Sequence, residues 1–294
     1  MMTNDPQKNQ QERPSTYVVQ DRKNQEEQRR LTIQDQMITT GMRGILPEQD
    51  DPAIFSSVLD VACGTGGWLI EAAKTYSTMT KLIGVDISTN MIEYACFCAE
   101  REQVDNRVTF RVMDTLRMLE FPKDSFNLVN MRFGVSWLRT WDWAKLLAEF
   151  QRVTMKRGII RITESDVVQN NSPALTHFIS ALQQALYNAG HFYRPEKDGI
   201  TSELVPLMVQ HGLEHIQTRK NLLTYRAGTP EGQHFIEDMH HLFHTVRPYI
   251  QKWAPIPDDH DTLSQQAVKE MQQPDFVATL QLLTAWGTRA IILK

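Results

Sequence analysis

No apolar run in this sequence approaches the roughly 18 residues that a membrane-spanning helix requires, so no contact with a membrane core is expected. Positive charge is not in excess either. Lys and Arg number 31 against 35 Asp and Glu, and the net charge is -4, which excludes a broad basic face for nucleic acid. Cysteine is scarce. Cys63, Cys96 and Cys98 are the whole set, and Cys96 and Cys98 are two positions apart, on different sides of a helix. No Cys or His partners stand at the spacing that four metal ligands need, so no metal is expected and the three cysteines read as small apolar residues. His240 and His244 are one turn apart, but the H-E-x-x-H pattern is missing. The first fourteen residues are polar with both signs of charge and hold no apolar core of a signal peptide. A disordered tail over 1–14 and a cytoplasmic protein are expected.

Two nucleotide-binding patterns are missing as well. A dinucleotide fingerprint puts a third glycine three places after the second, and Leu69 stands there. A phosphate-cradling loop ends in Gly-Lys-Ser/Thr, and no such run occurs. What does occur is Val58-Leu59-Asp60-Val61-Ala62-Cys63-Gly64-Thr65-Gly66-Gly67: a buried strand, an acid, then a glycine loop. The helical run Trp68 to Thr75 follows. Strand, glycine loop and helix form the first unit of a doubly wound sheet, whose ligands bind at the carboxyl ends of the strands. A second strand, Lys81 to Val85, ends in Asp86, twenty residues after Gly66, where a carboxylate can take both hydroxyls of a ribose. A third, Val108 to Val112, ends in Met113-Asp114, where an acid can accept from an adenine amine. Three acids at three strand ends, without a phosphate loop, suit a ligand with a cationic amino acid end, a ribose and an adenine. That ligand is S-adenosylmethionine.

The segments DVACGTGG, GVDIS with Met91 after it, Met113-Asp114, 124–138 and 146–165 follow one another in an order that resembles the class I S-adenosylmethionine-dependent methyltransferases. The likeness covers about 55–165. It implies an α/β fold: a doubly wound, seven-stranded Rossmann-like sheet whose last strand is antiparallel, with a helical leader and helical cap insertions. It implies cofactor contacts from Asp60, Ala62, Gly64, Gly66, Asp86, Ile87, Met91, Met113, Asp114 and Thr115. Two positions depart from the family. Ala62 stands where it usually has glycine, and Lys156-Arg157-Gly158 replaces its usual Pro-Gly-Gly.

Residues 15–50 form a leader before the core, which is expected over 51–294. Tyr17, a charged helical run, then Arg30-Leu31-Thr32-Ile33-Gln34 resembles the leader of methyltransferases similar to fungal regulators of secondary metabolism. The resemblance implies that Tyr17 and Gln34 help close the cofactor pocket; a plain packing helix is the other reading. Arg132, just past the fourth strand, can hold a carboxylate by a forked hydrogen bond or pair with a surface acid. Trp137 is placed to line the acceptor side.

Two insertions complete the plan, 167–200 and 228–274. The first carries a helix, Pro173 to Ala189, and then His191-Phe192-Tyr193-Arg194. His191 and Tyr193 are the candidate catalytic residues, since a His can serve as general base toward a hydroxyl or nitrogen. His177 and Arg194 are candidate acceptor contacts. The second carries one amphipathic helix over 231–253. Thr201 to His211 reads as a helix, Ile216 to Arg226 as the sixth strand at the sheet edge, and Phe276 to Gly287 as the last. The expected function is methyl transfer to a small, partly apolar acceptor at O, N or C, such as a specialised or quinone-like metabolite. The alternatives are a protein or RNA methyltransferase, a cofactor-binding regulator without turnover, and a fold relative with a different reaction. A homodimer through the apolar insertion helices stays open.

Overall fold

The computed structural model describes residues 16–19, 25–195, 199–255 and 260–290; the expected tail over 1–14 lies outside them. In chain order the elements are α1 (Gln25–Met42), β1 (Ser57–Val61), α2 (Gly67–Thr75), β2 (Lys81–Asp86), α3 (Thr89–Arg101), β3 (Val108–Val112), β4 (Phe126–Arg132), α4 (Trp143–Val153), β5 (Thr154–Ser165), β6 (Gln169–Asn170), α5 (Pro173–Asn188), α6 (Thr201–Gln210), β7 (Leu213–Arg226), α7 (Pro230–Thr245), α8 (Arg247–Trp253), α9 (His260–Met271) and β8 (Val277–Arg289).

One sheet organises them. Strands run β3-β2-β1-β4-β5 in parallel. β8 then inserts antiparallel beside β5, and β7 pairs antiparallel with the other edge of β8. The expected sheet, with its last strand antiparallel and its sixth at the edge, is therefore present. The two-residue β6 is an addition, lying on the same edge of β8 as β5.

The strands form because their residues are apolar on both faces, as a sheet covered on both sides requires. In β1 all five residues are buried. Leu59 and Val61 face the helices α4 and α6, where Leu146, Phe150, Leu204 and Met208 pack. Val58 faces the opposite way, toward Leu69, Ala72 and Ala95 of α2 and α3. α4 buries Trp143, Leu146, Leu147, Phe150 and Val153, the spacing of one helical stripe. A third core joins α1, α5, α7, α8 and α9 over the ends of β7 and β8.

The helix starts are written in the sequence. Ser88, Ser172 and Thr229 each accept from a backbone N–H three residues on, at 3.4, 3.0 and 3.0 Å. Pro173 and Pro230 open the helices of the two insertions. Two expectations are corrected. The stretch 231–253 is two helices, because Pro248 cannot continue the first, and α8 starts at Arg247. Residues 260–271, for which no element was expected, form α9.

Candidate functional site

Sequence register builds the polar centre of the sheet. Asp60 on β1 stands directly beside Asn130 on β4, which stands beside Arg161 on β5. Residues in register on neighbouring strands point to the same face. Here they join: Asn130 Nδ2 donates to Asp60 Oδ1 at 2.7 Å, and Arg161 Nη1 donates to Asn130 Oδ1 at 2.8 Å. Arg161 also grips Glu48, in the segment before β1, from Nε at 2.6 Å and Nη2 at 3.2 Å. Both side chains of that ion pair are fully buried. Burial works to raise the Glu48 carboxyl, but the Arg161 charge and hydrogen bond outweigh it and hold the group below its ordinary value. Burial also pushes Asp60 up to about 6, opposed by the Arg132 charge and the Asn130 hydrogen bond.

The glycine loop closes over this row. Cys63 N–H donates to Val85 O at 3.0 Å, which ties the loop to β2. Asp86 accepts from Gly64 N–H at 3.0 Å and from Ser88 N–H at 2.9 Å, so its carboxylate is aimed by both flanking turns. Gly66 sits at φ 75° immediately before α2, and a Cβ there would lie 2.5 Å from the Phe110 ring. Gly64 is the opposite case: a Cβ there would meet one atom, Leu31 Cδ1 at 3.8 Å, so this backbone faces open space. Ala62 holds a left-handed φ of 55° and Arg157 one of 63°. These are the two positions at which the sequence departs from glycine in the family it resembles.

A cavity of about 430 Å³ opens above these strand ends. Its floor holds Asp60, Ala62, Gly64, Asp86, Ile87, Met91, Asp114 and Thr115. Tyr17, Gln34, Arg132 and Trp137 line it too. Its far side is apolar: Met37 and Ile38 of α1, Ile179, Leu182 and Leu186 of α5, and Phe235, Met239 and Leu242 of α7. The cavity therefore joins the strand-end acids to a chamber roofed by the leader and both insertions.

The other sequence candidates lie elsewhere. Gly66 is beneath the loop, and Met113 is in the core with its N–H donated to Asp86 O at 2.8 Å. His177 is exposed on α5. Arg194 is exposed and 3.4 Å from Glu203. Tyr193 is exposed and donates to Thr140 O at 2.9 Å. His191 is buried outside the cavity wall, with Nδ1 2.9 Å from Val135 O and its ring edge-on to Tyr249. Burial pulls its imidazole down to about 4. His177 lies on the exposed side of α5, and the turn after α5 carries Tyr193 and Arg194 to the surface and His191 into a buried position off the cavity. Among the described residues no histidine or lysine lines the cavity.

Several lining residues were not foreseen. Arg132 pairs with Asp35 of α1, and that carboxylate presses on Gly67 at the start of α2. Tyr17 Oη donates to Glu27 Oε1 at 2.6 Å. Arg30 donates to both oxygens of Glu27 at 2.8 Å and to Asp238 Oδ1, on α7, at 3.2 Å. Tyr225 of β7 stacks on Phe235, 4.8 Å between centroids. Among described residues the wall carries seven carboxylates (Glu27, Asp35, Asp60, Asp86, Asp114, Asp166, Asp238) against two guanidiniums, Arg30 and Arg132. No group of three or more His, Cys, Asp or Glu among them is arranged to hold a metal ion. Such a wall suits a cationic ligand and repels phosphate.

Residues 58–158 match the methyltransferase domain family. Over 96 residues the chain is 38% identical to the demethylmenaquinone methyltransferase of Lactiplantibacillus plantarum, covering 33% of this chain and 39% of that protein. It is 32% identical over 118 residues to the ajmaline N-methyltransferase of Rauvolfia serpentina, covering 40% and 38%. The chain spans about two-fifths of the length of these curated relatives. In structure it resembles phosphoethanolamine N-methyltransferase 2 of Haemonchus contortus, with a TM-score of 0.51, 20% identity, and 84% of this chain and 51% of that chain covered. That likeness concerns the fold. The helices α1, α5 and α7 lie outside 58–158.

Proposed function

We propose that this chain, whose residues 58–158 match the methyltransferase domain family, transfers a methyl group from S-adenosylmethionine to a small, partly apolar acceptor. The observation that carries the reading is the continuity of one cavity from Asp60, Asp86 and Asp114 to the apolar chamber under α1, α5 and α7.

The residues present fit the cofactor. The open face of Gly64 leaves room for a ligand against the backbone, and the acidic wall without lysine or histidine matches a cationic nucleoside. Asp86 would take the ribose hydroxyls, held in aim by Gly64 and Ser88. Asp114, itself accepting from Leu116 N–H at 3.1 Å, would take the adenine amine, with Ile87 and Met91 beside it. Asp60, tensioned by Asn130, faces the cationic amino acid end. When bound, S-adenosylmethionine supplies an electrophilic methyl on a sulfonium. The protein's part is position and exclusion of water. The leader performs the exclusion: Tyr17 and Gln34 close one side of the cavity, and α1 is locked to α7 through Arg30 and Asp238. Residues 15–50 thus act as a lid, and 167–200 and 228–274 as an acceptor-selecting cap. The three cysteines are free, as a reducing compartment keeps them, which supports a cytoplasmic enzyme.

The test is turnover. The protein with S-adenosylmethionine and a panel of aromatic, terpenoid and quinone acceptors should release S-adenosylhomocysteine in an acceptor-dependent way, followed by mass spectrometry. Cofactor binding without release against any of them would favour a regulator instead.

A further inference from the structure

One corner of the chamber is polar. Glu27 and Arg30 come from α1, Asp238 from α7 and Tyr225 from β7, and all four side chains line the cavity. They are 1, 4, 3 and 3% exposed. Their charges do not balance. Arg30 spends both arms of its fork on Glu27 at 2.8 Å and gives Asp238 a single contact at 3.2 Å. Two buried carboxylates share one guanidinium, and a negative charge kept from water is costly unless it is paired. Burial accordingly pushes Asp238 up to about 6, against the pull of Arg30.

A second observation is independent of the charges. The Tyr225 hydroxyl has no hydrogen-bond partner among the described residues, although it is buried beside Asp238. A buried polar atom of this kind awaits a partner that a ligand can bring. The ring of Tyr225 is stacked on Phe235, and both residues line the cavity. A carboxylate short of a cation, a hydroxyl short of a partner and an aromatic pair make up the recognition chemistry of an ammonium group.

Resting on the methyltransferase reading of the same cavity, we propose that the acceptor carries a protonated amine on an apolar body, and that this ammonium, seated between Asp238 and the Tyr225 hydroxyl, keeps its protons as a binding anchor while the methyl group goes to a different nucleophilic atom of the acceptor. The ammonium donates to the Asp238 carboxylate and to the Tyr225 oxygen. The apolar body lies along Phe235 and the α5 side of the chamber. Anionic acceptors are refused by the wall of carboxylates, and neutral ones leave the Asp238 charge unmatched.

The test uses three probes that differ in one group: benzylammonium, benzyl alcohol and benzoate. Each is titrated by calorimetry into the full chain saturated with S-adenosylhomocysteine. Benzylammonium should bind at least about tenfold tighter than benzyl alcohol, as a charge-assisted pair requires, and benzoate should not bind. Asp238→Asn should bring benzylammonium to parity with the alcohol, and Tyr225→Phe, which touches no contact that holds the leader, should weaken it severalfold with S-adenosylhomocysteine affinity unchanged. Tyr225→Phe removes an atom with no partner and so keeps the fold intact if Asp238→Asn does not. Equal or weaker binding of benzylammonium than of benzyl alcohol, including no detectable binding of any probe, would overturn the proposal while leaving the cofactor site standing. Failure of S-adenosylhomocysteine itself to bind would remove the methyltransferase reading, and this proposal with it.

Discussion

Asn130 stands between Asp60 and Arg161 in strict strand register and is hydrogen-bonded to both, at 2.7 and 2.8 Å. That arrangement couples the acid of the glycine loop to an ion pair two strands away. Glu48 and Arg161 are fully buried, so each depends on the other for its charge. Arg161→Met should destabilise the protein by about 3–5 kcal/mol, because it leaves Glu48 buried without a cation. The double variant Glu48→Leu with Arg161→Met should recover most of that loss. Urea unfolding of the parent protein, both single variants and the double variant checks both statements, and additive losses in the double variant would contradict them.

Seven described non-glycine residues occupy backbone that favours glycine, and Ala62 and Arg157 are the two that stand where the resembled family has glycine. Ala62 has φ 55° and Arg157 φ 63°. Left-handed backbone costs a residue with a Cβ about 1–2 kcal/mol, part of which glycine gives back as unfolded-state entropy. Arg157→Gly and Ala62→Gly should each raise stability by about 0.5–1 kcal/mol. Arg157 is exposed on the turn before the fifth strand's core, so its effect should appear with no change in ligand binding.

Much of this was legible beforehand. The strands were plain because a parallel sheet covered on both faces needs continuous apolar runs, and each ended in an acid or a glycine turn. The sites that depend on long-range meeting were not. Arg30 and Asp238 are 208 residues apart, and nothing in either local sequence announces the other. Tyr225 read as an ordinary edge-strand residue, because strand alternation tells which face it takes but not that a cavity lies there. The histidine candidates lie off the cavity for a related reason. Helical spacing places His177 on α5, but the exposed side of α5 is fixed by its packing on α8 and α9, which the sequence reading had merged or missed. Glu164, near the end of β5, is wholly buried under the turn after β4, which only the fold shows.

That burial has a consequence for pH. Glu164 accepts from Gly134 N–H at 2.6 Å and Val135 N–H at 3.4 Å, yet burial dominates and pushes its carboxyl up to about 8 from 4.5. A carboxyl raised in the folded state keeps its proton while the unfolded chain loses it. Between about pH 4.5 and 8 the native state therefore binds more protons, and stability falls as pH rises. The slope from this group is on the order of 1.4 kcal/mol per pH unit at its steepest. Glu164→Gln should flatten the decline in urea midpoint between pH 5 and 8.5. An unchanged slope in that variant would show that Glu164 titrates near its ordinary value.

The most direct measurement is calorimetric binding of S-adenosylmethionine and S-adenosylhomocysteine to the chain and to Asp86→Ala, with circular dichroism to confirm that both are folded. The account predicts micromolar binding of both ligands, weakened at least about a hundredfold in the variant, since Asp86 both aims the loop and takes two ribose hydroxyls. No binding of either ligand at millimolar concentration, or equal binding by Asp86→Ala, would contradict it.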